Sequence, residues 1–232
     1  MKILALDTSA NVCTAALCED KKLIAEIVIN TGNTHSEVLL PAIEQILKLT
    51  DTDKNGIDMY ACTLGPGSFT GVRIGVATVK GMAFGKGKSC VGVSALEALA
   101  YNMLCHDGVI CPVMDARRNN VYNALFRREN GKITRLCPDR IISVSELDTE
   151  LSDMGEKVYL SGDGYNICKK SFGKTHTEDT DSRAVLNSAY SVACVALDKC
   201  SRGEYVTDFE LSPVYLRPSQ AERERLEKQQ NN

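Results

Sequence analysis

The same order of strands and turns opens the chain twice. KILALD (2–7), VCTAALC (12–18) and LIAEIVI (23–29) are short runs rich in Val, Ile, Leu and Ala, parted by the turn-like TSAN and EDKK. Apolar runs punctuated in this way read as meandering strands. A weaker copy begins near residue 109, where VICPVMDARRNNVYNALFRRENGKITRL gives a strand ending in Asp115, a turn, a strand, the turn ENG and a strand. Asp7 and Asp115 hold equivalent places. Each copy makes a sheet that helices must cover, so the duplication predicts two similar α/β lobes joined near residue 105.

The first lobe continues as helix, strand, helix, strand, helix. Thr34 and Glu37 have the spacing of a capping box ahead of VLLPAIEQILKL, which predicts a helix over 36–49 with a kink at Pro41. GIDMYACTL is the next strand, a helix follows to about residue 85, then SCVGV as a strand and SALEALAYNML as a helix. The second lobe runs through KVYLSGDG to the Ala-rich SRAVLNSAYSVACVALDKC. The expected division is therefore a lobe over 1–105, a smaller one over 106–217, and a charged, solvated tail over 218–232.

Composition narrows the function classes. A formal charge of -3 and a pI of about 5.7 supply no general basic field for gripping nucleic acid, so any nucleic-acid contact is expected to be indirect, through a partner. The ten cysteines form no C-x-x-C and the three histidines stand far apart; no metal site is expected. The N-terminus enters a strand pattern without the regions of a secretory leader, which predicts a cytoplasmic protein with free thiols. No apolar run is long enough to span a membrane.

Phosphate-binding and nucleophile motifs fail where they are most tempting, in TLGPGSFTGVRIG at 63–75. A P-loop would place glycine and lysine after Gly65 or Gly67 where Thr70 and Val72 stand, the dinucleotide fingerprint is one residue out at Gly71, and Ser68 lacks the flanking glycines of a nucleophile elbow. Ser68 or Thr70 is instead expected to cap the next helix. That helix carries two charges, Arg73 and Lys80, among apolar or small residues on all sides. An all-round apolar helix is normally buried, yet each interior glycine costs about 1 kcal/mol relative to alanine. A stripe without Cβ atoms admits another backbone closely. The helices over 36–49 and 70–84 thus lie either beneath the chain's own loops and second lobe, or at a protein interface.

The blocks LGPGSFTGVRIGVATVKGMAFG, ALDTS, HSEVLLPAIEQIL, VSALEALA, MDARRNNVYNALF and PVYLRPSQAE resemble the bacterial TsaB family, also called YeaZ, over nearly the whole chain. The resemblance implies a duplicated actin-like ATPase (ribonuclease H-like) α/β fold in two lobes. It also implies a non-catalytic paralogue of TsaD, the enzyme that threonylcarbamoylates adenosine 37 of tRNAs reading codons that begin with A. TsaD is the implied direct partner, TsaE joins the complex, and homodimers use much the same face when TsaD is absent. The partner-binding residues expected are Leu39, Leu40, Ile43, Ile46 and Leu47 on the first helix, with Thr70, Gly71, Arg73, Ile74, Ala77, Thr78, Lys80 and Gly81 on the second.

Two departures from catalytic relatives accompany the resemblance. Their metal-binding H-x-x-x-H pair corresponds here to Ala95 and Leu99, and the turns after Asp7 and Asp115 contain no glycine to wrap a phosphate. No catalytic residue and no cofactor are expected. Asp7, Asp115, Arg117 and Arg118 are candidates for a vestigial nucleotide or tRNA contact, with Arg127 and Arg128 nearby in sequence; a turn-capping role for both aspartates is the alternative. His35 is expected at a surface or interface, and LSGDGY at 160–165 reads as a turn. Two rival functions stand beside the partner subunit: an active actin-like ATPase or small-molecule kinase, and a glycoprotease-type peptidase.

Overall fold

The computed structural model describes residues 1–103 and 105–217; the charged tail over 218–232 lies outside them. The first half follows the expected order. β1 (Lys2–Asp7), β2 (Cys13–Glu19) and β3 (Lys22–Ile29) form an antiparallel meander, followed by α1 (His35–Leu49), β4 (Met59–Gly65), α2 (Phe69–Ala83), β5 (Ser89–Ser94) and α3 (Ala95–Tyr101). β4 and β5 add in parallel beside β1, giving the order β3-β2-β1-β4-β5. Strand alternation sorts the core. Leu4 and Leu6 point to α1 and α2, whereas Ile3 and Ala5 point to a helix from the far end of the chain.

That helix is α6 (Ala189–Ser201), and it corrects the expected division. The Ala-rich segment does not continue the second lobe. Ala189, Ala193 and Ala196 lie against Ile3, Ala5 and Ala61 of the first sheet, where small side chains on both surfaces allow close packing. Its helical part begins after Ser188, whose hydroxyl accepts from the Ser191 N–H.

The second sheet holds β6 (Gly108–Asp115), β7 (Asn120–Asn123), β8 (Phe126–Glu129), β9 (Lys132–Arg135) and β10 (Arg140–Ser143), with β11 (Val158–Ser161) parallel to β6. The single strand expected after Asp115 is two strands, pairing successive stretches of β6. Pro112 lies between those stretches and has no N–H for a ladder; Asn123 Nδ2 donates to its carbonyl instead, at 3.1 Å. α4 (Val144–Met154) and α5 (Tyr165–Ser171) cover Val109, Cys111 and Val113, while α3 covers Ile110 and Met114 on the opposite face.

Capping differs from expectation at α1. Thr34 is the N-cap, but its side chain makes no capping bond, and the Glu37 N–H bonds to the Thr34 carbonyl at 3.0 Å. A complete capping box forms at Ser143 and Glu146 of α4. The helix α1 runs unbroken through Pro41. The ten cysteines are all free, and burial pushes the Cys13 thiol up to about 11 and the Cys18 thiol to about 12, so these thiols stay protonated.

Candidate functional site

The glycine-rich segment before α2 receives part of its own chain. Ser68 caps α2, accepting from the Gly71 N–H at 3.2 Å, and the Ser68 N–H donates to the Ser9 carbonyl at 2.7 Å. Thr8 Oγ1 donates to the Gly71 carbonyl at 2.7 Å. A Cβ on Gly71 would overlap the Thr8 carbonyl oxygen, one on Gly75 would meet Thr8 Oγ1, and one on Gly67, at φ +150°, would overlap the Ser9 carbonyl. These glycines make room for the β1–β2 turn. His35 closes the same junction, its Nε2 lying 2.7 Å from the Ala10 carbonyl.

Burial divides the proposed partner face in two. On α2, Gly71, Val72, Gly75, Val76, Val79 and Ala83 face the core, while Thr70, Arg73, Ala77 and Gly81 are exposed and Ile74, Thr78 and Lys80 are half-buried. A Cβ on Gly81 would meet nothing within 4 Å. On α1, Leu39, Ile43 and Ile46 are enclosed in the first core, Leu47 is half-buried, and Leu40 is 52% exposed. Leu39, Ile43, Ile46 and Gly71 are therefore corrections: the first three fill the space between α1 and the sheet, and Gly71 faces Thr8. The outward set is Leu40, Thr70, Ala77 and Gly81, together with the exposed but internally bonded Arg73, and it is edged by Ile74 and Thr78.

A segment that sequence reading missed flanks this face. Val206 pairs with Cys90 on the outer edge of β5, and the chain then follows α2. Lys80 Nζ donates to the Phe209 and Leu211 carbonyls, both at 3.0 Å, so Lys80 is anchored to its own chain rather than free for a partner. Tyr215 stacks on Phe69 at 4.1 Å between centroids, and Arg73 lies over Phe69 while its Nε donates to the Tyr215 hydroxyl at 2.9 Å. Phe84 and Phe209 meet at 6.3 Å and are exposed by 66% and 78%. The apolar pattern in VTDFELSPVYL was the available signal.

The two lobe-opening aspartates lie in different environments. Asp7 is fully buried: Oδ1 accepts from the Ser9 N–H and hydroxyl and from Thr63 Oγ1, and Oδ2 accepts from Asn187 Nδ2 at 2.9 Å. Burial raises its carboxyl pKa, opposed by these hydrogen bonds. Asp115 accepts from the Arg117 N–H at 2.7 Å, pairs with the Arg117 guanidinium at 3.2 Å, and its own N–H donates to Asp163 at 3.0 Å. Both aspartates cap turns. The SGDG turn packs on the end of β6, since Cβ atoms at Gly162 and Gly164 would crowd Val113.

Arg127 and Arg128 are held by acidic partners of their own, Glu156 and Asp107 respectively, apart from the Arg117–Arg118 turn. Arg117, Arg118 and Asn119 form a left-handed turn, φ +66°, +55° and +58°, and Arg217 donates to the Ala116 carbonyl at 3.1 Å. Ala95 and Leu99 are enclosed in the core beneath β6. Among the described residues, no helix is long and apolar enough to cross a membrane.

Comparison with known proteins places these features in a family. The family described as TsaD: tRNA N6-adenosine threonylcarbamoyltransferase matches residues 22–223. The chain is 34% identical over 170 residues to the tRNA threonylcarbamoyladenosine biosynthesis protein TsaB of Bacillus subtilis (strain 168), covering 73% of this chain and 74% of that one. It is 28% identical over 220 residues to the protein of the same name from Escherichia coli (strain K12), covering 94% and 95%. A crystal structure described as an uncharacterized protein with similarity to peptidase YEAZ from Pseudomonas aeruginosa superposes with a TM-score of 0.80 at 25% identity, covering 93% of this chain and 99% of that one. The α/β architecture with its two sheets is thus common to this chain and that crystal structure.

Proposed function

The chain belongs to the TsaB (YeaZ) family, and we propose that it acts in tRNA threonylcarbamoyladenosine biosynthesis as a non-catalytic subunit that binds and activates a TsaD protein. The observation that carries this reading is the outer face of α2. Thr70, Ala77 and Gly81 leave the helix backbone open to close approach, and exposed Leu40, Phe84 and Phe209 supply apolar surface around it. Small residues along one helix face suit contact with a second helix, and exposed apolar patches of this kind suit protein partners. In the proposed arrangement the outward residues of α1 and α2 meet the matching pair of helices in TsaD, in a four-helix contact about a pseudo-two-fold axis. The same face serves a homodimer when TsaD is absent, TsaE joins the complex, and tRNA is reached only through TsaD, in the cytoplasm.

Activation needs no catalytic group here. A subunit that binds the competent conformation of TsaD more tightly than the incompetent one raises the population of the former. Asp7 supports this reading, since both of its oxygens are already engaged by Ser9, Thr63 and Asn187, and so do Ala95 and Leu99, which have no metal-binding atoms. The deciding experiment is reconstitution of tRNA threonylcarbamoylation from TsaD, TsaE and the remaining components with and without this chain. The expected result is loss of modification on omission; equal modification without it refutes the proposal.

A further inference from the structure

A cavity of about 730 Å³ lies on the opposite side of the first sheet from α1 and α2, between the edge strand β3, the end of α3, residues 181–187 and the first turn of α6. Its size suits a small organic ligand. Leu23, Val28, Leu186 and the tyrosines Tyr101 and Tyr190 contribute to its walls, and Glu26, Asp181 and Arg183 are its charged lining residues.

Glu26 is the unusual member. Its side chain is only 7% exposed. Oε1 accepts from Ser188 Oγ at 2.8 Å, the Tyr190 N–H at 3.1 Å and Thr14 Oγ1 at 3.3 Å. Oε2 makes no hydrogen bond among the described residues; it has a loose ion contact, 3.9 Å from a guanidinium nitrogen of Arg183, whose side chain is 82% exposed. Held by a side chain that is otherwise enclosed, this oxygen is not sealed off and is free to accept from a donor placed in the cavity.

The neighbouring donors are engaged elsewhere. Asn102 Nδ2 donates to the Ala184 and Leu186 carbonyls, Ser191 Oγ to Asn102, and Asn187 Nδ2 to Asp7 and Ser9. The Tyr101 hydroxyl donates to Asp198 and the Tyr190 hydroxyl to the Lys21 carbonyl, so each tyrosine oxygen has only acceptor capacity to offer. Apart from the exposed Arg183, what the cavity presents is acceptors on apolar and aromatic walls. The complementary group carries donors only and positive charge, which describes guanidinium and ammonium.

We propose that this cavity binds a small guanidinium or alkylammonium cation on a short apolar chain, with the cation on Glu26 Oε2 and Arg183 swung outward. Calorimetric titration of the full chain with butylguanidinium, butylammonium and the neutral near-isostere butylurea tests it. Saturable one-to-one binding of either cation without binding of butylurea is expected. Glu26→Gln, which keeps an acceptor for Ser188 and Tyr190, is expected to weaken binding about tenfold or more, and Arg183→Ala to tighten it by removing the resident cation. Equal binding of butylurea, unchanged binding in E26Q, or absence of binding in both the unaltered chain and R183A overturns the proposal. Should E26Q fail to fold, aromatic proton resonances of the unaltered chain decide. Cation-dependent shifts of Tyr101 and Tyr190, assigned with Y101F and Y190F, support the site, and their absence overturns it.

Discussion

Alanine at Gly71 and alanine at Gly81 should move stability in opposite directions, although both glycines lie inside α2. Replacing an interior helical glycine by alanine stabilises by about 1 kcal/mol through propensity. At Gly81 nothing opposes that gain, because the added Cβ meets no atom within 4 Å. At Gly71 it meets the Thr8 carbonyl oxygen, in a turn fixed by Asp7, Ser9 and the Thr8 bond to the Gly71 carbonyl. An obstacle made of backbone gives little, so the overpacking cost falls near the top of the usual range, about 3 kcal/mol. The net expectation is a loss of about 2 kcal/mol for G71A and a gain of about 1 kcal/mol for G81A. At a conversion of about 2–4 °C per kcal/mol for a chain of this size, G71A should melt about 4–8 °C below the unaltered chain and G81A about 2–4 °C above it. Calorimetric melting at one concentration and pH checks both. If G71A is as stable as the unaltered chain, or the two shift in the same direction, the assignment of these glycines is wrong. A second readout belongs to the proposed interface: the more stable G81A should capture TsaD about tenfold less well, since its methyl group stands where helices would approach.

Three further outcomes are expected. Ala77→Glu should abolish co-purification with TsaD while leaving the melting temperature within about 2 °C, because Ala77 is exposed and surface changes rarely exceed about 0.5 kcal/mol; Ile43→Glu should instead unfold the chain, since it places a charge in the first core. Asp148 is buried, which alone would raise its carboxyl, but the N–H groups of Gly173, Lys174 and Thr175 hold it below the usual carboxylate range. A depressed folded pKa contributes stability above the unfolded value and loses it as pH falls through the folded value. Asp148→Asn should therefore be less stable at neutral pH, with the gap narrowing on acidification below about pH 4 in urea melts. Purified chain with Mg·ATP should show negligible hydrolysis, and peptide substrates with or without chelator no cleavage; turnover that co-purifies with the chain would favour the kinase-like or peptidase alternative.

Local pattern carried much of the fold. Apolar runs and turn residues marked β1 to β5, and the spacing of small and apolar residues marked α1 to α3, because β1, β2 and β3 are joined by short punctuated turns and pair in sequence order, while β4 and β5 alternate with helices of a distinct periodicity. Two features were not legible. The return of α6 to the first sheet brings residue 187 to Asp7, a contact across 180 positions, and no local periodicity encodes which sheet a helix covers. The break between β7 and β8 depends on Pro112 lying opposite, in a strand whose pairing is known only once the sheet exists. For the candidate site, the sequence showed that α2 was apolar and small on all sides but not which side faced outward. Orientation came from Thr8 and Ser9, since their turn fills the Gly67, Gly71 and Gly75 side.

The same use of glycine recurs in the second lobe and bears on how the face came to be free. Gly162 and Gly164 lie against Val113 at the end of β6, as Gly67 and Gly71 lie against Ser9 and Thr8 beyond the end of β1. In both lobes the loop after a neighbouring parallel strand is pressed onto the turn or strand end that carries the lobe-opening aspartate, and Asp163 accepts from the Asp115 N–H there. Backbone groups at these strand ends are thus satisfied within the chain, and the Asp7 oxygens have four internal donors. A mobile ligand at Asp7 would have to displace bonds that also fix the start of α2. Gly81, six residues beyond Gly75 and on the opposite, outward side of the helix, is under no such internal demand, and the segment from Val206 to Tyr215 passes beside it without covering it. An interior glycine with open space carries a stability cost that the isolated fold does not require. That uncompensated cost is the physical reason to place a partner's helix on this side of α2 rather than a ligand at Asp7.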